Sequence, residues 1–398
     1  MNELISDPIK CGIDRIIQDK KILNPTLKYG LLTNISCVTA QRIPVHLALI
    51  HAGYQIKTIF SPEHGFKIEG RDGHFQSDTT LDAHAIPIIS LYGDQLKPSV
   101  NHFVNLDAII IDLPNIGSRF YTYLWTMANM IEVCDQLQLP VIILDRPNPL
   151  GGNMNKCEGP IMQADFFSFI GDWNIPIRFG LTLGEFALLL KKEKNLFNLD
   201  IQIIKVNAWR RIMNSFQYEY PFVSPSPAIN TKQTIFTYPA LCYLEATNIS
   251  EGRGTSFPFQ MAIAPWIKSA LLKEALKELK ISGVEFEATH FTPSDGKYVN
   301  QNCEGIRLDV IDPLLYRPVE TGMLLLACIK TIFPQHFQWS VYPTLVNPEG
   351  DHHFERLTGS EQLLKWLEYD PLNHLGDLTL LLECEGWSER CSSILLYD

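Results

Sequence analysis

Short runs of almost purely apolar residues, each ending in polar ones and alternating with helical patterns, recur through the first 150 residues and constrain this chain more than any other feature. The runs fall at 29–34 (YGLLTN), 56–61, 86–91 (IPIISL), 108–113 (AIIIDL) and 141–144 (VIIL). A strand with one wet face would alternate apolar and polar residues. A run that does not alternate is buried on both faces, as in a parallel sheet covered by helices. Helical spacing over 39–51, stopped by Gly53, and over 123–138 supplies the crossovers that parallel strands need. The expected fold class is therefore α/β, a Rossmann-like N-terminal domain with a mostly parallel sheet.

Beyond that region the rhythm changes. A capped helix at 182–192 and a Pro-rich turn at 221–227 close the first unit. Helices at 268–279 and 320–332, a strand near 305–310 and a short segment at 394–397 suggest a smaller α+β C-terminal domain. The expected division is 1–255 and 256–398. At 398 residues the chain has the length of two domains and a core large enough to need no disulfide staples.

Composition excludes several partners. With 33 Lys and Arg against 44 Asp and Glu, the net charge of −11 offers no basic footprint for nucleic acid or an anionic membrane. No apolar stretch approaches the ~18 residues of a membrane span, and no signal-peptide core is visible near the N-terminus. The nine cysteines show no CxxC, and the closest pair, Cys384 and Cys391, matches no zinc or redox spacing. Reduced thiols in a cytoplasmic protein are expected, or a periplasmic or secreted one if a leader has been removed. Oligomeric state is not readable.

In an open parallel sheet, ligands bind beyond the carboxyl ends of the strands, where loops and helix N-termini converge. The loops there carry Asn34; Glu63 and His64; Asp112, Arg119, Tyr121 and Tyr123; and Asp145, Arg146 and Asn148. Each residue alone reads equally well as a helix cap or a surface ion pair, but four such loops on one edge read as a binding site. A second cluster, EATNISEGRGT, brings Glu245, Asn248, Glu251 and Arg253, with glycines that let backbone approach a ligand. Glu158 in CEGP is a third candidate. His64, His74 and His84 with Asp78 and Asp82 match no ligand spacing, and His352–His353 is an isolated pair, so no metal is expected.

There is no GxGxxG, GxxxxGK[ST], GxSxG or HExxH, which removes the dinucleotide fingerprint, the P-loop, the usual serine elbow and the zincin helix. No cofactor is expected. A site of Glu, Arg, Asn and Tyr suits glycoside hydrolysis, in which one carboxyl protonates the leaving oxygen and another acts as base or nucleophile. A non-catalytic binder of acidic sugars is the alternative, and an amidase or esterase using His64 as base comes third, since no Ser or Cys is positioned as nucleophile.

The motifs GLLTN (30–34), SPEHG (61–65), DLPNIGSRFYTY (112–123), DRPNPLGG (145–152), EGP (158–160) and TNISEGRGT (247–255), in this order, resemble the exo-acting β-N-acetylmuramidases of peptidoglycan breakdown. That family was long catalogued as a domain of unknown function. The resemblance runs from about residue 12 to the C-terminus and implies release of terminal, non-reducing N-acetylmuramic acid from small glycan fragments. It implies Glu63 and His64 at the active site, with Glu251 and Arg253 beside them. The roles assigned from chemistry are Glu63 as general acid and Glu251 or Glu158 as second carboxylate, with a route assisted by the sugar's own acetamido group also open. Asn115 and the turn SPSPAIN (224–230) depart from the family pattern.

Overall fold

The computed structural model describes residues 7–71, 73–81, 85–93 and 95–398. Asp82 and His84 lie outside them. Among the described residues, ten strands form two sheets. The strands of the first are β1 (Lys28–Leu32), β2 (Gln55–Ser61), β3 (Thr79–Leu81), β4 (Ile86–Ser90), β5 (Ala108–Ile111), β6 (Val141–Leu144) and β7 (Ile201–Ile204). Their spatial order is β3-β4-β2-β1-β5-β6-β7, parallel throughout except for the edge pair β3/β4. The chain works outward from β1 through β2 to β4, then returns to the other side of β1 at β5. That reversal is the topological switch point.

The apolar runs divide between two cores in strict alternation. Leu32, Ile109, Ile111, Val141 and Ile143 enter one, and Leu31, Ile110, Ile142 and Leu144 enter the other. Helices α1 (Gly12–Gln18) and α2 (Val45–His51) cover one face, while α3 (Tyr123–Leu137) and α4 (Leu183–Glu193) cover the opposite one. The expected helix at 39–51 starts only at Val45, because Pro44 is tolerated at a helix start and not within it. Upstream, the Thr39 hydroxyl accepts the N–H groups of Gln41 and Ile43, forming a turn instead. α4 begins with a capping box between Thr182 and Glu185.

Helix α5 (Lys232–Leu241) leads into the second sheet, β8 (Met261–Ala264), β9 (Val284–Phe291) and β10 (Cys303–Val310), antiparallel in the order β8-β10-β9. It is covered by α6 (Ser269–Glu278) and α7 (Pro318–Ile332), followed by α8 (His353–Thr358) and three further short α-helices. α5 precedes residue 255 yet packs against α7 and β10. The 394–397 segment belongs to neither edge of the small sheet. It returns to the large one, where the Tyr397 hydroxyl donates to Asp145 and its ring packs edge-on against Trp209. Among the described residues no helix is long and apolar enough to cross a membrane.

Candidate active site

β2 ends in the turn Pro62-Glu63-His64-Gly65, closed by the Gly65 N–H on the Pro62 carbonyl at 3.1 Å. His64 and Gly65 both adopt left-handed backbone, with φ of 68° and 74°. This sharp reversal leaves Glu63 at the carboxyl edge of the sheet rather than carrying it outward. Its Oε1 accepts the Gly73 N–H at 2.8 Å and its Oε2 accepts the Thr122 hydroxyl at 2.7 Å. Thr122 is the residue before α3. Each carboxyl oxygen keeps a second lone pair for a substrate. Behind it, the Tyr123 hydroxyl donates to the Pro225 carbonyl at 2.6 Å and accepts from the Asn34 amide at 3.0 Å, so the switch-point loops brace Glu63 from below. His64 holds the Gly70 carbonyl through Nδ1 at 3.0 Å, which requires a proton on that nitrogen.

Glu63 opens into a solvent-connected cleft whose open space is about 790 Å³. Tyr92, Tyr121, Phe169 and Tyr238 supply aromatic wall. The far wall comes from the C-terminal part of the chain. There Glu245, in the 3-10 turn after α5, meets His353 Nε2 at 3.0 Å through one oxygen and Arg253 at 3.0 Å through the other. Arg253 also pairs with Glu251 at 2.9 Å and lies 4.5 Å over the Phe259 ring. Burial alone would raise the Glu251 carboxyl, but Lys297, at 3.4 Å, and Arg253 outweigh it and hold the group below the usual carboxylate range.

Of the residues singled out in the sequence, Glu63, His64, Tyr121, Glu245 and Arg253 line this cavity. Asn34 and Tyr123 stand one layer behind it. The structure places the others elsewhere, with evident reasons. Asp112 is fully buried and grips Arg146 through both oxygens, and Arg146 also donates to the Val38 carbonyl, so the pair ties three loops together. Arg146 borders a separate, proline-lined cavity of about 650 Å³. Asp145 caps α4 through the Gly184 N–H at 2.9 Å and accepts the Tyr397 hydroxyl at 2.6 Å; burial pushes it up to about 6 against those bonds. Asn148 bridges the Leu181 carbonyl and the Leu150 N–H.

Arg119, wholly buried, spends its guanidinium on the carbonyls of Pro160, Ile175 and Leu357. Asn248 pins the 336–338 loop. Glu158 is enclosed between Arg178 and Arg317, each at 3.9 Å, and accepts the Glu320 N–H; it does not border the cavity, and burial raises its carboxyl despite both arginines. Glu251 stands behind Arg253, so neither expected second carboxylate borders the cavity.

His353 and Thr122 are cavity residues that sequence reasoning passed over as site residues. His353 was out of reach, because it meets Glu245 across 108 positions and its neighbour His352 is exposed on a separate ion pair with Glu355. Among the described residues no group of three His, Cys, Asp or Glu is arranged to hold a metal ion.

Comparison with known proteins agrees with this architecture. Residues 29–233 match the family model described as exo-beta-N-acetylmuramidase NamZ, N-terminal, and residues 236–397 match its C-terminal counterpart. The chain is 36% identical over 332 residues, 83% of its length and 80% of the relative's, to the peptidoglycan beta-N-acetylmuramidase NamZ of Bacillus subtilis strain 168. Two crystal structures of DUF1343 family proteins from Bacteroides fragilis superpose over 99% of the chain. One covers 100% of its own chain at TM-score 0.87 and 26% identity; the other covers 99% at 0.74 and 25%.

Proposed function

The chain belongs to the exo-β-N-acetylmuramidase family, and we propose that the cavity between Glu63 and Glu245 is where it releases terminal, non-reducing β-N-acetylmuramic acid from peptidoglycan fragments. It is a glycoside hydrolase. The observation that carries the assignment of the site is Glu63 itself, a carboxyl anchored on both oxygens by Gly73 and Thr122 at the switch point of the sheet, facing space for a sugar. Phe120, Cys242 and Phe259, almost wholly buried, are among the residues that line that space.

In this reading Glu63 protonates the leaving oxygen as the glycosidic bond breaks. The lactyl carboxylate that distinguishes N-acetylmuramic acid from N-acetylglucosamine needs a cation. Arg119, Arg146 and Arg253 are committed to carbonyls or buried carboxylates. Arg356 also borders the cavity, and its ion pair is with Asp351, a side chain 54% exposed, at 3.4 Å. We assign it the lactyl group. All nine cysteines are free and eight are buried, which suits a reducing compartment. The test is incubation with a MurNAc-GlcNAc disaccharide. Wild-type protein releases MurNAc, and Glu63→Gln does so at a rate lower by about 10² or more. Absence of release from the wild type refutes the reading.

A further inference from the structure

The Glu245–His353 pair has the geometry of a general base and the group that orients it. His353 is 6% exposed, and the ring borders the same cavity as Glu63. Its Nε2 lies 3.0 Å from Glu245 Oε2. A carboxylate only accepts, so Nε2 carries the proton and, in the neutral ring, Nδ1 carries the lone pair. Nδ1 makes no hydrogen bond with any described residue. The ring plane is fixed as well, stacked on Tyr342 with centroids 4.6 Å apart and planes at 26°. The imidazole is thus held at Nε2 and on one ring face, while Nδ1, the atom able to take a proton, has no hydrogen-bond partner among the described residues.

Among the described residues, Glu245 and Glu251 pair with Arg253, and Glu251 also pairs with Lys297. The Cys242 thiol contacts Glu245 at 3.7 Å, and Arg356 follows one turn later on α8. A fixed carboxylate on one ring nitrogen stabilises the positive charge that develops when the other is protonated.

We propose that His353 is the catalytic base of the hydrolysis and Glu245 its positioning residue. The proton of the water that attacks C1 passes to His353 Nδ1, and the bond from that water to C1 forms. The glycosidic C1–O bond breaks, and its oxygen takes the proton of Glu63. Solvent then carries one proton from the imidazolium back toward Glu63. This deepens the muramidase reading of the cavity and rests on it.

The test uses His353→Ala and His353→Gln in the full-length protein, with a MurNAc-GlcNAc disaccharide and azide as external nucleophile. Azide needs no base. If His353 removes a proton from water, both variants lose about 10² or more in kcat with KM little changed, and azide restores turnover with MurNAc azide as the product. Glu245→Gln shows a smaller kcat loss, relieved by azide in the same way. The glutamine variant retains a side-chain N–H for Glu245, so it remains informative if the alanine variant fails to fold. Turnover at the wild-type rate, a loss confined to KM, or a folded variant that azide does not rescue overturns the proposal. Lack of MurNAc release by the wild type instead faults the muramidase reading itself.

Discussion

Replacing Glu63 by glutamine separates chemistry from architecture unusually well, because the surroundings of the carboxyl can be satisfied by an amide. The glutamine oxygen can take the Gly73 N–H that now binds Oε1. The amide NH₂ then faces Thr122, whose hydroxyl rotates from donating to accepting. Both hydrogen bonds survive, so the cost to stability stays near or below 1 kcal/mol. Alanine would leave the buried Thr122 donor without its partner, at about 1–3 kcal/mol, and the half-buried Gly73 N–H as well, and would confuse a folding defect with a catalytic one. The amide has no proton to give, and loss of a general acid typically lowers the rate by about 10² to 10⁴, equivalent to roughly 2.7 to 5.4 kcal/mol in the barrier.

The decisive assay compares two leaving groups. N-acetylglucosamine leaves poorly without a proton, whereas 4-nitrophenolate leaves as a stable anion. Glu63→Gln should therefore be far more impaired on the disaccharide than on the nitrophenyl glycoside, while its thermal midpoint matches the wild type. Equal losses on both substrates would refute proton donation and point to attack on C1 or substrate placement. Unchanged turnover on both would remove Glu63 from the mechanism.

Arg356→Lys should shrink the preference for muramic over glucosamine glycosides by about 10 to 150-fold in kcat/KM, the worth of a bidentate guanidinium contact of roughly 1.5 to 3 kcal/mol; an unchanged ratio would return the lactyl group to other residues. Arg146→Ala strands Asp112, whose side chain is 0% exposed, without its cation. It should destabilise the fold by about 3 to 5 kcal/mol in chemical denaturation, and a wild-type midpoint would show that the pair is not structural. The Glu251 carboxyl is held below its ordinary range, so its contribution to stability is complete above the unfolded-state value and is lost as pH falls through the depressed one. Glu251→Gln should accordingly flatten the acid side of a plot of thermal midpoint against pH, and an unaltered acid side would contradict that role.

The central strands were legible because burial on both faces leaves no freedom in their composition. Every position of AIII in β5 and VIIL in β6 is buried. The edge strands escaped because one side of the sheet constrains them less. β7 reads IQII with an exposed glutamine, and β3 is the three-residue TTL, exposed or half-exposed throughout. The same contrast governs the site. Chain order and the switch-point rule located the loops after β1, β2 and β5, whereas composition could not say which polar side chains in them face a ligand and which face one another. Asp112 and Arg146 look like ligand residues because a buried ion pair and an anion site draw on the same amino acids. Glu245 and His353 become a pair only when α8 packs against the 3-10 turn that follows α5.

That packing makes the C-terminal part integral to the site rather than an accessory to it. Gly73 donates its N–H to Glu63 while its carbonyl accepts the N–H of Leu345 at 3.1 Å. Its backbone is left-handed, φ 71°, and a side chain there would come within 3.1 Å of Thr344. One glycine thus joins the carboxyl after β2 to the 344–347 loop, which lines the cavity beside Tyr342 and His353. Glu63 and the opposite wall are held in register by a backbone contact and not by sheet geometry alone. Neither half of the chain contains a complete cavity, since Glu63 and Thr122 come from the parallel-sheet part and Glu245, His353 and Arg356 from α5 onward. The polar residues that dominate the sequence motifs then divide into two kinds of work. Glu63, with His64 and Tyr121, lines the cavity, and the buried Asp112, Arg146, Asp145, Asn148 and Arg119 fix the loops from which it is presented.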